Sequence, residues 1–326
     1  MVILTILDGK QIYTTHGDGV LSTTSRMELP VLQPCIHEEA DTRIMVHVLD
    51  ASLSGHKRIK IRSNDTDVIV LAISVVNTVL VDELWVAYGS GKHRHNLPAH
   101  TIARSLGQDK SSALPMFHAI TGCDTVSFFG GRGKKTAWGV WKVFPELTPV
   151  LRALAASTED ISKEHMAVIE RFAILLYDRT SSLRNINEAK QELFSKKSRS
   201  LDNIPPTRAA LVNHAKRAGF QGGFDWQQTL LKEPVIPCPT QWVCLTGQPS
   251  NKQKILVMNS STAGVRRCVE DIVLRQIWHV QVCATVGATA TRIALYKPRI
   301  LNRGNRSVTN KLLSKRVHTG VLTQSG

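Results

Sequence analysis

The sequence lacks any uninterrupted apolar run of roughly 18 residues, the length a helix needs to cross a bilayer, although hydrophobic residues make up 42% of its 326 positions. It opens MVILTILDGKQ, with no basic stretch ahead of an apolar run that ends at Asp8, so a signal peptide is not expected. Paired cysteines are also absent. The six cysteines, Cys35, Cys123, Cys238, Cys244, Cys268 and Cys283, contain no CxxC. That pattern argues against a disulfide frame or a thiolate zinc site and suits free thiols in a reducing, intracellular compartment. Nor is there an internal repeat.

What is present begins with charge. Lys and Arg number 41 against 26 Asp and Glu, a formal +15 at pH 7, and the pI is near 9.8. From Ile236 to the end there are 13 basic residues and only Glu270 and Asp271, or +11, which leaves +4 for residues 1–235. Such an excess attracts polyanions, nucleic acid above all, and a nuclear location is expected on that ground. A basic tail is equally what a solvated chain end looks like. Charge alone does not choose the partner.

Residues 2–22 read as short strands broken by the turn dipeptides Asp8-Gly9 and Asp18-Gly19. From Glu38 to Ser54 the pattern is helical, with Ile44, Val48 and Ala51 on one face beside Met45 and Leu49. Lys57–Ser63 alternates as a strand, Val68 to about Leu80 is a second apolar helix, and Leu84–Tyr88 is another strand. Strand, helix and strand at this spacing predict an α/β sandwich on a parallel sheet. From about Ala99 the chain reads as mostly helical, through Ser111–Thr121, Lys134–Val143, Lys163–Tyr177, Asn187–Lys197 and Thr207–Ala218. Pro205-Pro206 breaks the last pair apart, and Gly219–Gly223 closes the region. Trp138 and Trp141 read as core rather than as stacking platforms. The expected division is 1–150, a helical region 151–235, and a basic, poorly ordered tail 236–326.

Three acidic clusters fall where an α/β fold gathers side chains, at the carboxyl ends of strands. They are Glu38-Glu39-Ala40-Asp41 at a helix start, Asp65-Thr66-Asp67 after a strand, and Asp124 in a turn after a helix. Singly, each is explained by helix capping and the positive end of the helix dipole, worth about 0.3–1 kcal/mol. Jointly the argument differs, because two like charges about 4 Å apart repel by roughly 4 kcal/mol at an effective dielectric near 20. Glu39, Asp41, Asp65, Asp67 and Asp124 converging on one pocket would need cations. An all-oxygen set selects Mg²⁺ or Mn²⁺. His37, His47 and His118 flank the clusters and are expected to orient or pack rather than to ligate.

Downstream, Gly131-Arg132-Gly133-Lys134-Lys135-Thr136-Ala137 places glycines and basic residues ahead of a helix. Free backbone N–H groups there, with Arg132, Lys134 and Lys135, would suit a phosphate.

These motifs resemble those of flap endonucleases and their PIN-like 5′-nuclease relatives. There, Glu-Ala-Glu opens one helix, Asp-x-Asp follows the next strand, and Gly-Cys-Asp leads into a Gly-x-Gly-x-x-x-Ala helix–two-turn–helix. Glu39-Ala40-Asp41 looks like the first, with Asp in place of the second Glu. Asp65-Thr66-Asp67 looks like the second and Gly122-Cys123-Asp124 like the third, while Gly131, Gly133, Lys135 and Ala137 fall in the hairpin register. The match covers about residues 36–145. The strings HEEADTR, SNDTD and HAITGCDTVSFFGGRGK, with the helical region through LRNINEAKQELF, also resemble a large multi-copy group of uncharacterised animal proteins linked to mobile elements, a likeness that implies no activity.

The resemblance implies a PIN-like parallel sheet flanked by helices, then the helix–two-turn–helix and a helical region. It also implies an acidic strand and helix ahead of the first cluster. Only 37 residues precede Glu38, so the front of that domain is expected to be missing, and Ile6-Leu7-Asp8-Gly9-Lys10 is a weak stand-in. The function expected is a metal-dependent phosphodiesterase, Mg²⁺ or Mn²⁺ held by Glu39, Asp41, Asp65, Asp67 and Asp124, with Gly131, Arg132, Gly133, Lys134 and Lys135 gripping nucleic acid, DNA in the first instance. Alternatives are a nucleic-acid-binding remnant without turnover, and an interaction protein whose acids are caps.

Overall fold

The computed structural model describes residues 12–16, 19–22, 31–34, 36–37, 39–156, 160–195 and 203–235. The readings of residues 2–11, including Asp8, of Cys35 and Glu38, and of the tail 236–326 lie outside these.

Strands β1 (Tyr13–His16) and β2 (Gly19–Ser22) pair antiparallel, with His16 opposite Gly19. Val20 joins Leu32 and Val46 in a small buried cluster that seats this hairpin on α1 (Ala40–Leu53). The Arg43 guanidinium, buried, donates to the carbonyl of Leu32 and fixes the approach.

Strand β3 (Arg58–Arg62) alternates between exposed and buried residues, as a period of two requires. Ile59 and Ile61 enter the core, while Arg58, Lys60 and Arg62 face solvent. Helix α2 (Thr66–Val75) is buried on every side except at Ser74, as an all-round apolar helix must be. Strand β4 (Glu83–Tyr88) then pairs parallel with β3, Ile59 opposite Leu84.

The expected parallel sheet is corrected at the next element. Strand β5 (His95–Pro98) returns antiparallel on β4, so the three-stranded sheet, in the order β3-β4-β5, is mixed. Its four residues run exposed, exposed, buried, buried, which hides the alternation that marks a strand, and Pro98 lowers the signal further. The class is α/β, with a small sheet and many helices.

Helix α3 (Ala99–Ile120) is broken at Gly107, where φ is 77° and ψ 163°. After it come α4 (Lys134–Val143), α5 (Leu147–Ala156), α6 (Lys163–Tyr177), α7 (Ile186–Ser195) and α8 (Arg208–Ala218). The Ser162 and Thr207 hydroxyls accept from the backbone N–H groups of His165 and Ala210, capping α6 and α8. Helix α5 is not among the helices that the sequence pattern predicts, and it runs across residue 150, the expected first boundary. Pro149 sits in its first turn, where a missing N–H is tolerated. One core cluster extends from Ile44 to Trp226. Trp138 and Trp141 are buried in it. Phe117 stacks on Trp141 at 4.4 Å, and Trp138 meets both rings edge-on; each such pair is worth about 0.5–1.5 kcal/mol beyond its buried area.

The glycine run 219–223 does more than stop α8. Gly219–Asp225 continues as a π-helical turn whose Gly222 lies against α3 and Gly223 against α5. A Cβ on Gly222 would stand 2.8 Å from Met116 Cα and 2.9 Å from Ala119 Cβ; one on Gly223 would stand 2.8 Å from the Leu154 carbonyl oxygen. Only glycine permits this approach. Among the described residues no helix is long and apolar enough to cross a membrane.

Candidate metal and nucleic-acid site

The site is assembled from helix starts. Strand β3 ends at Arg62, and Ser63-Asn64 carries the chain into α2. The Asn64 side-chain oxygen accepts from the Gly89 N–H at 2.9 Å, tying this connection to the end of β4. Asp65 occupies the N-cap of α2, and its Oδ1 accepts from the Asp67 N–H at 3.2 Å. The capping role read from sequence is thus present at Asp65. It does not use up the carboxylate, because capping takes one oxygen and leaves lone pairs on both.

Asp41 lies in the first turn of α1. One carboxylate oxygen from each of Asp41, Asp65 and Asp67 falls within 4.8 Å of the other two. Asp41 is 6% and Asp67 9% exposed. Three carboxylates in so small a space, two of them buried, repel strongly unless proton or cation lowers the charge. Glu39, at the N-cap of α1, registers that crowding: its carboxyl is pushed up to about 7 by burial, then by the charges of Asp225, Asp41 and Asp67. The Trp226 indole N–H, buried without a hydrogen bond of ordinary geometry among the described residues, is the last and smallest influence and acts against the shift.

His118, near the end of α3, holds the third side of the site. Its Nε2 lies 2.9 Å from Asp67 Oδ1, and burial, with the Lys134 charge, pushes its pKa down. The ring is therefore neutral and donates its Nε2 proton to the carboxylate. It orients Asp67. His37 does the same kind of work nearby, bonding through Nδ1 to the Thr42 hydroxyl and through Nε2 to the Leu231 carbonyl.

Asp124 is exposed and is not in the group of three oxygens that meet within 4.8 Å. Its turn is nonetheless built onto the site. A Cβ on Gly122 (φ 108°) would lie 2.7 Å from Phe128 Cβ, so glycine is required there. Cys123 is close enough for Asp67, with burial as the larger cause, to raise its pKa. The Thr125 hydroxyl donates to Gln221 Oε1 at 2.7 Å, and Gln221 Nε2 donates to Asp225 Oδ2 at 3.0 Å. Through this chain the 122–125 turn is coupled to Asp225.

The expected phosphate grip needs a correction at Lys134. Its ammonium is 4% exposed and donates to the His118 carbonyl at 2.8 Å, to the Thr121 hydroxyl at 3.0 Å and to the Gly122 carbonyl. It closes the C-terminus of α3, where unpaired carbonyls and the negative dipole end favour a cation. Arg132 is half-buried over the Tyr177 ring, 5.0 Å from its centroid. Gly131, Gly133 and Lys135 are exposed.

Asp225 and Trp226 escape a reading of sequence because GFQGGFDW has the look of a helix terminator. The π-helical turn carries them to the site, and Thr229 helps to hold the segment against α1 through the Thr42 carbonyl at 3.4 Å.

Comparison with protein-family models, with curated proteins and with solved structures gives no match for this chain.

Proposed function

We propose that this chain is a metal-dependent phosphodiesterase acting on nucleic acid, on a PIN-like variant of the α/β fold. The observation that carries the reading is the convergence of Asp41, Asp65 and Asp67 oxygens within 4.8 Å, from two helix starts beside the carboxyl end of β3. The donor set fits a hard divalent cation: it is all oxygen, crowded and partly buried, and burial, with the charges of Asp225, Asp41 and Asp67, lifts the Glu39 carboxyl beside it to about 7. Asp41, Asp65 and Asp67 would hold Mg²⁺ or Mn²⁺, with Glu39 and Asp225 adjoining, and a bound ion would polarise a phosphodiester there.

The residues of the chain supply the rest. His118 fixes the Asp67 carboxylate, Asp65 is held by its capping bond, and Trp226 and α2 keep one side of the site dry. Arg132 and Lys135, with the backbone at Gly131 and Gly133, remain the candidates for contact with the phosphate backbone, and Asp124 borders the site. DNA is the proposed substrate and the nucleus the proposed location.

A second reading, a nucleic-acid-binding chain without turnover, is favoured by two observations: Asp124 stands outside the close carboxylate group and Lys134 is internal. A single assay separates the two. Purified chain with Mg²⁺ or Mn²⁺ should cleave end-labelled oligonucleotides, and Asp65→Ala/Asp67→Ala should abolish cleavage while the protein stays folded. Cleavage that survives the double change eliminates the first reading; binding without cleavage in the unaltered chain selects the second.

A further inference from the structure

The face of the sheet turned away from the core carries an arrangement that the carboxylate site does not use. Arg58, Lys60 and Arg62 alternate along β3 and all three are exposed. Side chains at i and i+2 on a strand stand about 6.6 Å apart, close to the separation of successive phosphates on an extended nucleic-acid strand. The register sets Lys60 beside Trp85 and Arg58 beside Glu83.

Glu83 organises this face. Its Oε1 lies 3.3 Å from Arg58 Nε and its Oε2 accepts from the Trp85 indole N–H at 2.9 Å. One carboxylate thereby holds both an arginine and a half-buried indole, and His100 supports the same ring edge-on at 5.4 Å. Lys60 and Arg62 form no ion pair among the described residues. Neighbouring Lys57 is different, since its ammonium is engaged by the Leu80 carbonyl. The stripe therefore consists of two cations without an ion pair among the described residues, one steadied arginine and one steadied tryptophan.

Its direction matters as much as its charge. Strand β3 runs from Arg58 to Arg62 and leads, three residues on, to Asp65. A backbone lying along the stripe is aimed at the carboxylates.

We propose that the exposed β3 stripe of this face is a track for single-stranded nucleic acid, with Arg58, Lys60 and Arg62 against successive phosphates and Trp85 under a base. A basic line beside an aromatic is the arrangement by which single strands are held without sequence preference. In a duplex the base faces are stacked and Trp85 has nothing to cover. The statement that the track delivers substrate to Asp65 and Asp67 rests on the nuclease reading; the binding itself does not.

The test uses the full chain and fluorescent single-stranded DNA, single-stranded RNA and duplex DNA of equal length, titrated in EDTA so that no metal takes part. Both single strands should bind better than duplex. Lys60→Gln/Arg62→Gln should reduce the slope of log affinity against log salt by about 1.4, since each phosphate of a single strand that a cation neutralises adds about 0.7 to that slope. Trp85→Leu should weaken single-strand binding on the order of tenfold and leave duplex binding unchanged. Unaltered affinity and salt slope in Lys60→Gln/Arg62→Gln would overturn the proposal, as would preferential duplex binding. Cleavage assays with Mg²⁺ on the unaltered chain and on Asp65→Asn/Asp67→Asn provide the separation: stripe-dependent binding without metal-dependent cleavage that the double change abolishes overturns the nuclease reading and leaves the track standing.

Discussion

His118 Nε2 lies 2.9 Å from Asp67 Oδ1, joining the end of α3 to the start of α2 across the candidate metal site. The neutral ring gives the carboxylate a fixed direction. Replacing it with Phe should lower Mn²⁺ affinity by about 10–100-fold, the usual cost of losing a group that orients a ligand, and should cost roughly 1–3 kcal/mol of stability. His118→Gln, which keeps an N–H, should recover part of the metal affinity. Equal Mn²⁺ affinity in all three proteins would remove His118 from the site.

Lys134 is expected to matter for folding rather than for binding. Lys134→Met leaves the His118 and Gly122 carbonyls and the Thr121 hydroxyl without their shared donor, and should cost on the order of 3 kcal/mol in urea denaturation. Lys135→Gln, one residue on and exposed, should change stability by less than about 0.5 kcal/mol. The reverse order would return Lys134 to the surface grip read from sequence.

That pair shows how far the sequence was legible. Glycines followed by two lysines read as a phosphate-binding helix start, and the helix begins at Lys134 as expected. Periodicity does not say which lysine a neighbouring helix end will claim. The site followed the same division. Asp41, Asp65 and Asp67 could be named because each opens an element that local pattern defines, whereas Asp225 arrives through a π-helical turn whose reason for existing is the closeness of Met116 and Leu154. Strand β5 escaped for a related reason, since its pairing with β4 and not its four residues makes it a strand. Tertiary contact decided what local pattern left open.

Gly222→Ala tests the close approach that delivers Asp225. The added Cβ would meet Met116 Cα at 2.8 Å, and α3 is main chain that cannot swing aside. The expected cost is about 1–3 kcal/mol, as for other overpacked cores. Gly133→Ala is the control: its φ is −81° and nothing lies within 4 Å of the new atom. Melting temperatures of the two variants should differ clearly. Equal values would contradict the packing described for this turn.

Acid stability should depend on His47. It is 4% exposed, its Nε2 has no hydrogen-bond partner among the described residues, and it faces a small cleft with Ile44, Val48, Ile59 and Ile61. Burial, and then the Arg43 charge, bring its pKa down to about 4 from 6.5. Because the unfolded chain takes the proton first, the neutral ring's contribution is complete above pH 6.5 and is lost as pH falls from there to about 4. The loss is on the order of 3 kcal/mol. His47→Gln should flatten this part of the stability profile, measured by urea denaturation at intervals between those pH values. A profile as steep as that of the unaltered chain would show that the titration lies elsewhere.

If Asp41, Asp65 and Asp67 form a divalent-cation site, calorimetric titration of the full chain with Mn²⁺ at neutral pH will show it. Binding should be saturable, the melting temperature should rise with Mn²⁺ concentration, and both effects should be lost in Asp65→Asn/Asp67→Asn. A chain that takes up no Mn²⁺, or a double variant that binds it as well as the unaltered protein, would contradict that assignment.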